Sequence, residues 1–333
     1  MMDYEVFKNI VKENFLKYMP QEYKDAAVDI RPAPKVNRTL DALTLFQGGN
    51  SQVFPTVYVN DMYGQYLACG NLEDVLRGTA ERYAGALGEL KGYKMELDME
   101  HLRENVVLCL VNTEQNREML ADMPSREFHD LSVIYRWVVE TTPDAVCSVI
   151  VKNGLAEAAG MSEEELFRCA VENTRRIFPV SVKSMSDIVG HIPEGIEIPQ
   201  EIREEMEEAQ HVAENMWVIS NSRGINGAAS VLYEENLHQL AEKLGENLFI
   251  LPSSIHEVIA FPAGMAEKNL THMLEMVHEV NMGSLKLEER LSNNVYCYDR
   301  NARTVTLAAE SPEKRLDGKE AGMPLIQEEE RKR

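Results

Sequence analysis

The chain is short of cysteine, and the cysteines it has form no recognisable pair. Cys69, Cys109, Cys147, Cys169 and Cys297 are five among 333 residues, and no C-x-x-C occurs. An odd, scattered set excludes a disulfide framework and a structural zinc site, and it suits a reducing cytoplasm. Positive charge is also scarce: 34 lysines and arginines stand against 55 aspartates and glutamates, for a formal charge of -21. Such a surface repels phosphate backbones and anionic membranes, so neither nucleic acid nor a membrane is an expected partner. No run approaches the roughly 18 consecutive apolar residues of a membrane span. The first residues interleave Asp3, Glu5 and Lys8 with apolar ones, unlike a secretory leader. The compartment expected is the cytoplasm.

Catalytic signatures are missing as well. Neither G-x-x-x-x-G-K-[ST] nor G-x-G-x-x-G is present to cradle a phosphate, and no G-x-S-x-G elbow presents a serine. His256 and Glu257 begin an H-E pair, but a zincin needs histidine at position 260 and Ala260 stands there. No cofactor and no metal are therefore expected, and no motif assigns a reaction.

What is present is enough apolar chain, 44% of residues, to fill the cores of about two domains. Val6, Phe7, Ile10, Val11, Phe15 and Leu16 recur at helical spacing, which predicts a helix over 4–19 closed by Pro20. Ala27 to Val36 and Thr39 to Phe46 predict a hairpin whose first strand, carrying Pro32 and Pro34, belongs at a sheet edge. Helices are predicted over 60–67 and 72–87.

Leu131 to Val139 and Ala145 to Val151 are rich in β-branched and aromatic residues and precede a helix over 162–177. Ser162 with Glu165 three residues on makes a capping box for that helix. The same strand–strand–helix order is predicted around Asn226 and Gly227, with a second strand over 228–232, and again over 247–280. The expectation is an α+β protein of antiparallel sheets built from repeated ββα units with covering helices.

Glu194 to Asn215 holds eight glutamates against one arginine, with Ile198, Ile202 and Met206 on one stripe. It is read as an acidic helical linker over 191–215, between an N-terminal α+β lobe over 1–190 and a C-terminal ββαββα lobe over 216–308. Residues 309–333 are polar and charged and are read as a disordered tail.

Two places concentrate reactive side chains. Ser253, Ser254, His256 and Glu257 crowd the tip of an apolar hairpin over 247–262, and on a continuous strand Ser254 and His256 share a face, as a nucleophile and base require. The competing reading is that the serines bond the turn backbone while His256 is a satisfied, partly buried group. Arg126, Glu127, His129 and Asp130 precede an apolar strand and are candidates to line a binding groove; here the competing reading is mutual pairing at the surface.

The segments I-L-P-S-S-I-H-E-V-I, N-G-A-A-S-V-L-Y, M-V-H-E-V-N and L-S-N-N-V-Y-C-Y-D-R resemble a bacterial family known as a domain of unknown function. P-T-V-Y-V-N, M-P-S-R-E-F and E-N-T-R-R-I-F-P extend the resemblance over nearly the whole chain except the tail. It implies a bacterial, cytoplasmic protein and transfers no catalytic residue, cofactor or substrate. Together these readings favour a non-enzymatic binding or regulatory protein offering an acidic surface to a protein partner. The alternative is a hydrolase using the Ser/His pair at the 252–257 turn.

Overall fold

The computed structural model describes residues 2–46, 55–90, 98–142, 145–189, 213–252, 254–266 and 270–318. The chain divides into two compact units, Met1–Leu97 and Asp98–Arg333. Helices and antiparallel strands make it an α+β protein. Among the described residues no helix is long and apolar enough to cross a membrane.

In the first unit, helix Tyr4–Asn14 starts at Asp3, whose carboxylate accepts from the Glu5 N–H, and it buries Phe7 and Val11. Asn14 then turns its side-chain amide back onto the Ile10 carbonyl, and the predicted continuation becomes a 3-10 turn over Phe15–Tyr18. Strands β1 (Ala27–Lys35) and β2 (Arg38–Phe46) pair from Ala27 opposite Phe46 to Lys35 opposite Arg38. Asn37 takes a left-handed φ of 62° in their tight turn. β2 also pairs β3 (Val57–Tyr58), which leaves β1 at the edge, where Pro32 and Pro34 cost no ladder bond. Phe7, Phe15, Leu43, Met62 and Tyr83 fill the core beneath helices Val59–Cys69 and Leu72–Leu90.

The second unit holds two sheets. The first is centred on β6 (Leu131–Thr141), with β4 (Val106–Asn112) along one side and β5 (Ser125–Phe128) then β7 (Val146–Ile150) along the other. Every residue of β4 is buried. Helix Glu163–Ile177 covers this sheet and begins at the predicted capping box, Ser162 with Glu165. The second sheet runs β13 (Thr304–Ala309), β12 (Val295–Asp299), β10 (Leu248–Leu251), β11 (Val258–Pro262), β9 (Trp217–Asn221), β8 (Val180–Ser184). One apolar core joins the sheets, with Leu108, Tyr135 and Leu166 on one side and Ile219, Ala260 and Tyr298 on the other.

Three expectations need correction. The repeated ββα plan fails at 216–244, because Gly227–Leu232 is a 3-10 helix, not a strand. Asn226 is left-handed, and the small residues Ala228, Ala229 and Ser230 are packed inside, where Ser230 Oγ donates to the Ser220 carbonyl. The boundary at 191–215 does not separate two lobes, since β8 before it pairs β9 after it, Val180 opposite Asn221; the units part after Leu97. The acidic helix expected there lies almost wholly in 190–212, outside the described residues. The chain also stays folded beyond residue 308: Leu316 is fully buried, and Arg290 and Asn293 donate to the carbonyls of Leu316, Glu313 and Arg315. The remainder of the predicted tail, 319–333, lies outside the described residues.

Gly227 sits so close to β9 and the 252–257 turn that a Cβ there collides with Ser220 Oγ and with the His256 carbonyl. Gly227→Ala is expected to lower unfolding free energy by about 1–3 kcal/mol, read from urea denaturation. A wild-type midpoint would show that the backbone has room to retreat.

Glu234, at the start of helix Glu234–Leu244, is clamped by Arg303 at 2.7 and 2.9 Å and accepts from the Tyr298 hydroxyl. The Arg303 hydrogen bonds, aided by Tyr298, lower its pKa from 4.5 to about 2. A carboxylate held low by folding stabilises fully above its ordinary pKa and loses that contribution as pH falls through the folded value. Arg303→Gln is expected to flatten the loss of stability between pH 4.5 and 2, measured by thermal melts across that range. An identical acid limb in the variant would refute the assignment.

Candidate functional site

The hairpin over 247–262 forms, but its tip is not a strand: β10 ends at Leu251 and β11 begins at Val258. Ser254 and His256 therefore do not share a strand face. Ser254 Oγ accepts from the backbone N–H of His256 at 3.0 Å, and the Ser254 N–H donates to the Glu257 carbonyl at 3.2 Å. His256 Nδ1 accepts from the Asn226 N–H at 3.3 Å, which places its proton on Nε2, and its carbonyl accepts from Ser220 Oγ at 2.7 Å. Ile255 reaches further, donating to the Glu289 carbonyl at 2.8 Å. Bonds of this kind lock a corner between β9, the 3-10 turn and the hairpin, and they engage Ser254 Oγ and His256 Nδ1 with backbone N–H groups rather than with each other. Ser253 lies outside the described residues.

The four polar residues near β5 separate into two roles. Arg126 makes a two-pronged contact with Glu163 at 2.9 and 3.1 Å, bonds Glu164 at 2.6 Å, and lies 3.9 Å over the Phe167 ring. Burial pushes the Glu163 carboxyl up, but the Arg126 fork and the Tyr135 hydroxyl outweigh it and hold the group below its ordinary range. Arg126 thus fastens the β5–β6 hairpin to helix Glu163–Ile177. Glu127 is exposed opposite Ser132. Neither borders the cleft at Asp130.

His129 and Asp130 line that cleft. They form the two-residue turn between Phe128 and Leu131, which pair directly. His129 has φ 57°, at the kind of hairpin position glycine usually fills, so a bulky side chain is held there at a conformational cost. Its Nε2 lies 3.0 Å from the Val305 carbonyl and must be the donor, since a carbonyl only accepts. The ring sits 5.8 Å from that of Tyr296.

Asp130 is the focus of the site. Oδ2 accepts from Ser292 Oγ at 2.6 Å, Oδ1 accepts from the Tyr296 hydroxyl, and the Asp130 carbonyl accepts from the Thr113 N–H at 2.9 Å. Ser292 and Tyr296 are buried, and burial followed by the nearby Asp130 charge drives the Tyr296 pKa well above the ordinary tyrosine value, so its proton stays in that bond. Asp130 lines a cleft of about 220 Å³, walled also by Asn112 and Thr113 at the end of β4, by Asn293 and Asn294 before β12, and by Glu313 and Lys314. Asn281, fully buried, donates to Asn293 Oδ1 and to the Ser292 carbonyl, both at 2.8 Å, and so braces the wall from behind.

The amide and hydroxyl residues of this cleft were not among the candidates read from sequence. Their signal was the run Ser292-Asn293-Asn294, three polar residues all buried between Leu291 and Val295. Buried polar groups in succession demand partners, and here the partners build the cleft. Asn112 and Thr113 carried a fainter cue, a polar pair closing an apolar run.

A family model described as a family of unknown function (DUF5688) matches residues 4–300, and the chain belongs to that family. No curated protein and no solved structure matches it.

Asp130→Ala strands two buried hydroxyls and is expected to cost about 2–5 kcal/mol, whereas Tyr296→Phe removes one donor and costs about 1–2. Because the groups touch, the double variant should fall short of additivity by roughly 0.5–3 kcal/mol in a denaturation cycle. Strict additivity would mean that the pair is not coupled.

Proposed function

We propose that this is a non-enzymatic binding protein whose ligand site is the cleft at Asp130, and that it acts as a regulator by presenting its acidic surface to a protein partner. The observation that carries the reading is how the polar groups are spent. Ser292 and Tyr296 are buried and donate to Asp130, while Ser254 and His256 are spent on backbone, so the groups capable of covalent chemistry serve as struts. What fronts the cleft is a braced carboxylate among amides, a pre-organised surface for hydrogen-bonded recognition. The formal charge of -21 favours a basic protein partner over nucleic acid. Five free cysteines suit the reducing cytoplasm of a bacterium, the setting we assign to it.

A fragment screen by ligand-observed NMR on the full chain tests the reading. Small polar fragments are expected to bind at millimolar strength and to be displaced when the cleft is filled by Thr113→Trp, with no labelling by a serine-reactive fluorophosphonate. Labelling that disappears in Ser254→Ala would instead establish a serine enzyme, and fragments that ignore Thr113→Trp would move the site elsewhere.

A further inference from the structure

We infer, resting on the cleft as ligand site, that it receives a protonated primary amine with a neutral carbonyl or hydroxyl acceptor beside it. The first argument is charge. Asp130 is held by two neutral hydroxyls and has no ion-pair partner among the described residues. Lys314, which lines the cleft, is paired with Glu310 at 2.7 Å. A carboxylate uses about four lone-pair positions, and one hydroxyl on each oxygen leaves acceptor capacity on both. An ammonium supplies three N–H donors and the missing positive charge, and such charge-assisted bonds are the strong ones.

The second argument is the pattern of unspent donors. Asn112 Oδ1 accepts from the Gln115 N–H at 2.9 Å, and Asn294 Oδ1 accepts from the Ser311 N–H at 2.8 Å. These bonds fix which end of each amide is oxygen. Both NH2 groups are left without a protein acceptor among the described residues, and both residues line the cleft. Asn293 offers no such donor, because its NH2 serves the carbonyls of Glu313 and Arg315. Beside the wall charges of Glu114, Glu313 and Lys314, the cleft therefore offers the Asp130 carboxylate as an acceptor and two neutral amide donors. The complementary ligand carries a cationic donor and a neutral acceptor.

Size and field narrow it further. At about 220 Å³ the cleft is below the roughly 300–1,000 Å³ of sites for drug-sized molecules, so it holds one small head group. Three carboxylates, Asp130, Glu114 and Glu313, line the cleft against the single lysine Lys314, and within a strongly acidic chain that balance opposes a ligand carboxylate. Amino-acid amides, amino alcohols and the amino terminus of a peptide share the required chemistry; free amino acids carry a charge the cleft repels.

The test titrates the full-length chain with glycinamide, N-acetylglycinamide, glycine and ethylamine at neutral pH, by calorimetry and saturation-transfer NMR. Glycinamide is expected to bind at least tenfold more tightly than the N-acetyl form, which lacks the charge, and more tightly than glycine or ethylamine. Asp130→Asn, shown folded by its circular dichroism and melting, should lose the preference for the charged probe. The comparison of probes on the wild-type chain needs no variant, so a misfolded Asp130→Asn does not blunt it. Tighter binding of glycylglycinamide assigns the chemistry to a peptide amino terminus, and equal or weaker binding assigns it to a free small molecule. If N-acetylglycinamide binds as well as glycinamide, the ammonium assignment is wrong while the cleft remains a ligand site. If neither these probes nor neutral fragments bind at roughly ten millimolar, both readings fall.

Discussion

The bonds from Ser292 and Tyr296 to the Asp130 carboxylate hold together parts of the chain that nothing local would bring near one another. They tie the turn of one hairpin to β12 and the segment entering it, across 162 and 166 residues of sequence. The shared core supplies most of the free energy that brings the two sheets of the second unit together, but apolar contact is not directional. A carboxylate with two hydroxyl donors is directional, and it sets the register in which the sheet ends meet. Its surroundings then follow in order: Asn281 fixes Asn293, Asn293 fixes the backbone of 313–315, and Asn294 fixes Ser311.

A second corner, around the 252–257 turn, works in the opposite manner. There the design element is the absence of side chain: Gly227 and the alanines after it let the 3-10 turn press against β9, with the serine hydroxyls bonding carbonyls at close range. Both places are dense in reactive-looking residues. The one at Asp130 borders a cleft, and that feature, invisible in composition, is what makes it the candidate site.

How much of this was legible in the sequence depended on whether the signal was local. The capping box at Ser162, the edge strand with its prolines and the antiparallel hairpins are local physics, and they were readable. β4 was not anticipated, because V-V-L-C-L-V is a continuous apolar run without the alternation of a half-buried strand. The Asn226-Gly227 pair looked like a hairpin turn, yet the following Ala-Ala-Ser packs as a 3-10 helix because tertiary contact outweighs turn preference. Of the candidate site, His129 and Asp130 were identified but grouped with Arg126 and Glu127, which the fold assigns elsewhere. Asn112, Ser292 and Asn294 left only the cue of polar residues beside apolar runs, because what gathers them around one cleft is contact across 162 residues of sequence.

The same remoteness has a bearing on how the protein is made. The cleft draws its walls from residues near 112, 130, 293 and 313, and Leu316 reaches back to Gln115 across 201 residues. A chain emerging from the ribosome can raise the helix Glu163–Ile177 and the sheet beneath it while the final wall is still unsynthesised. Contacts of such long sequence separation form late, after the loop-closure entropy has been met by the core. The Asp130 cleft is thus among the last features of the second unit to mature in the growing chain, a wall that closes only after the sheets behind it have packed.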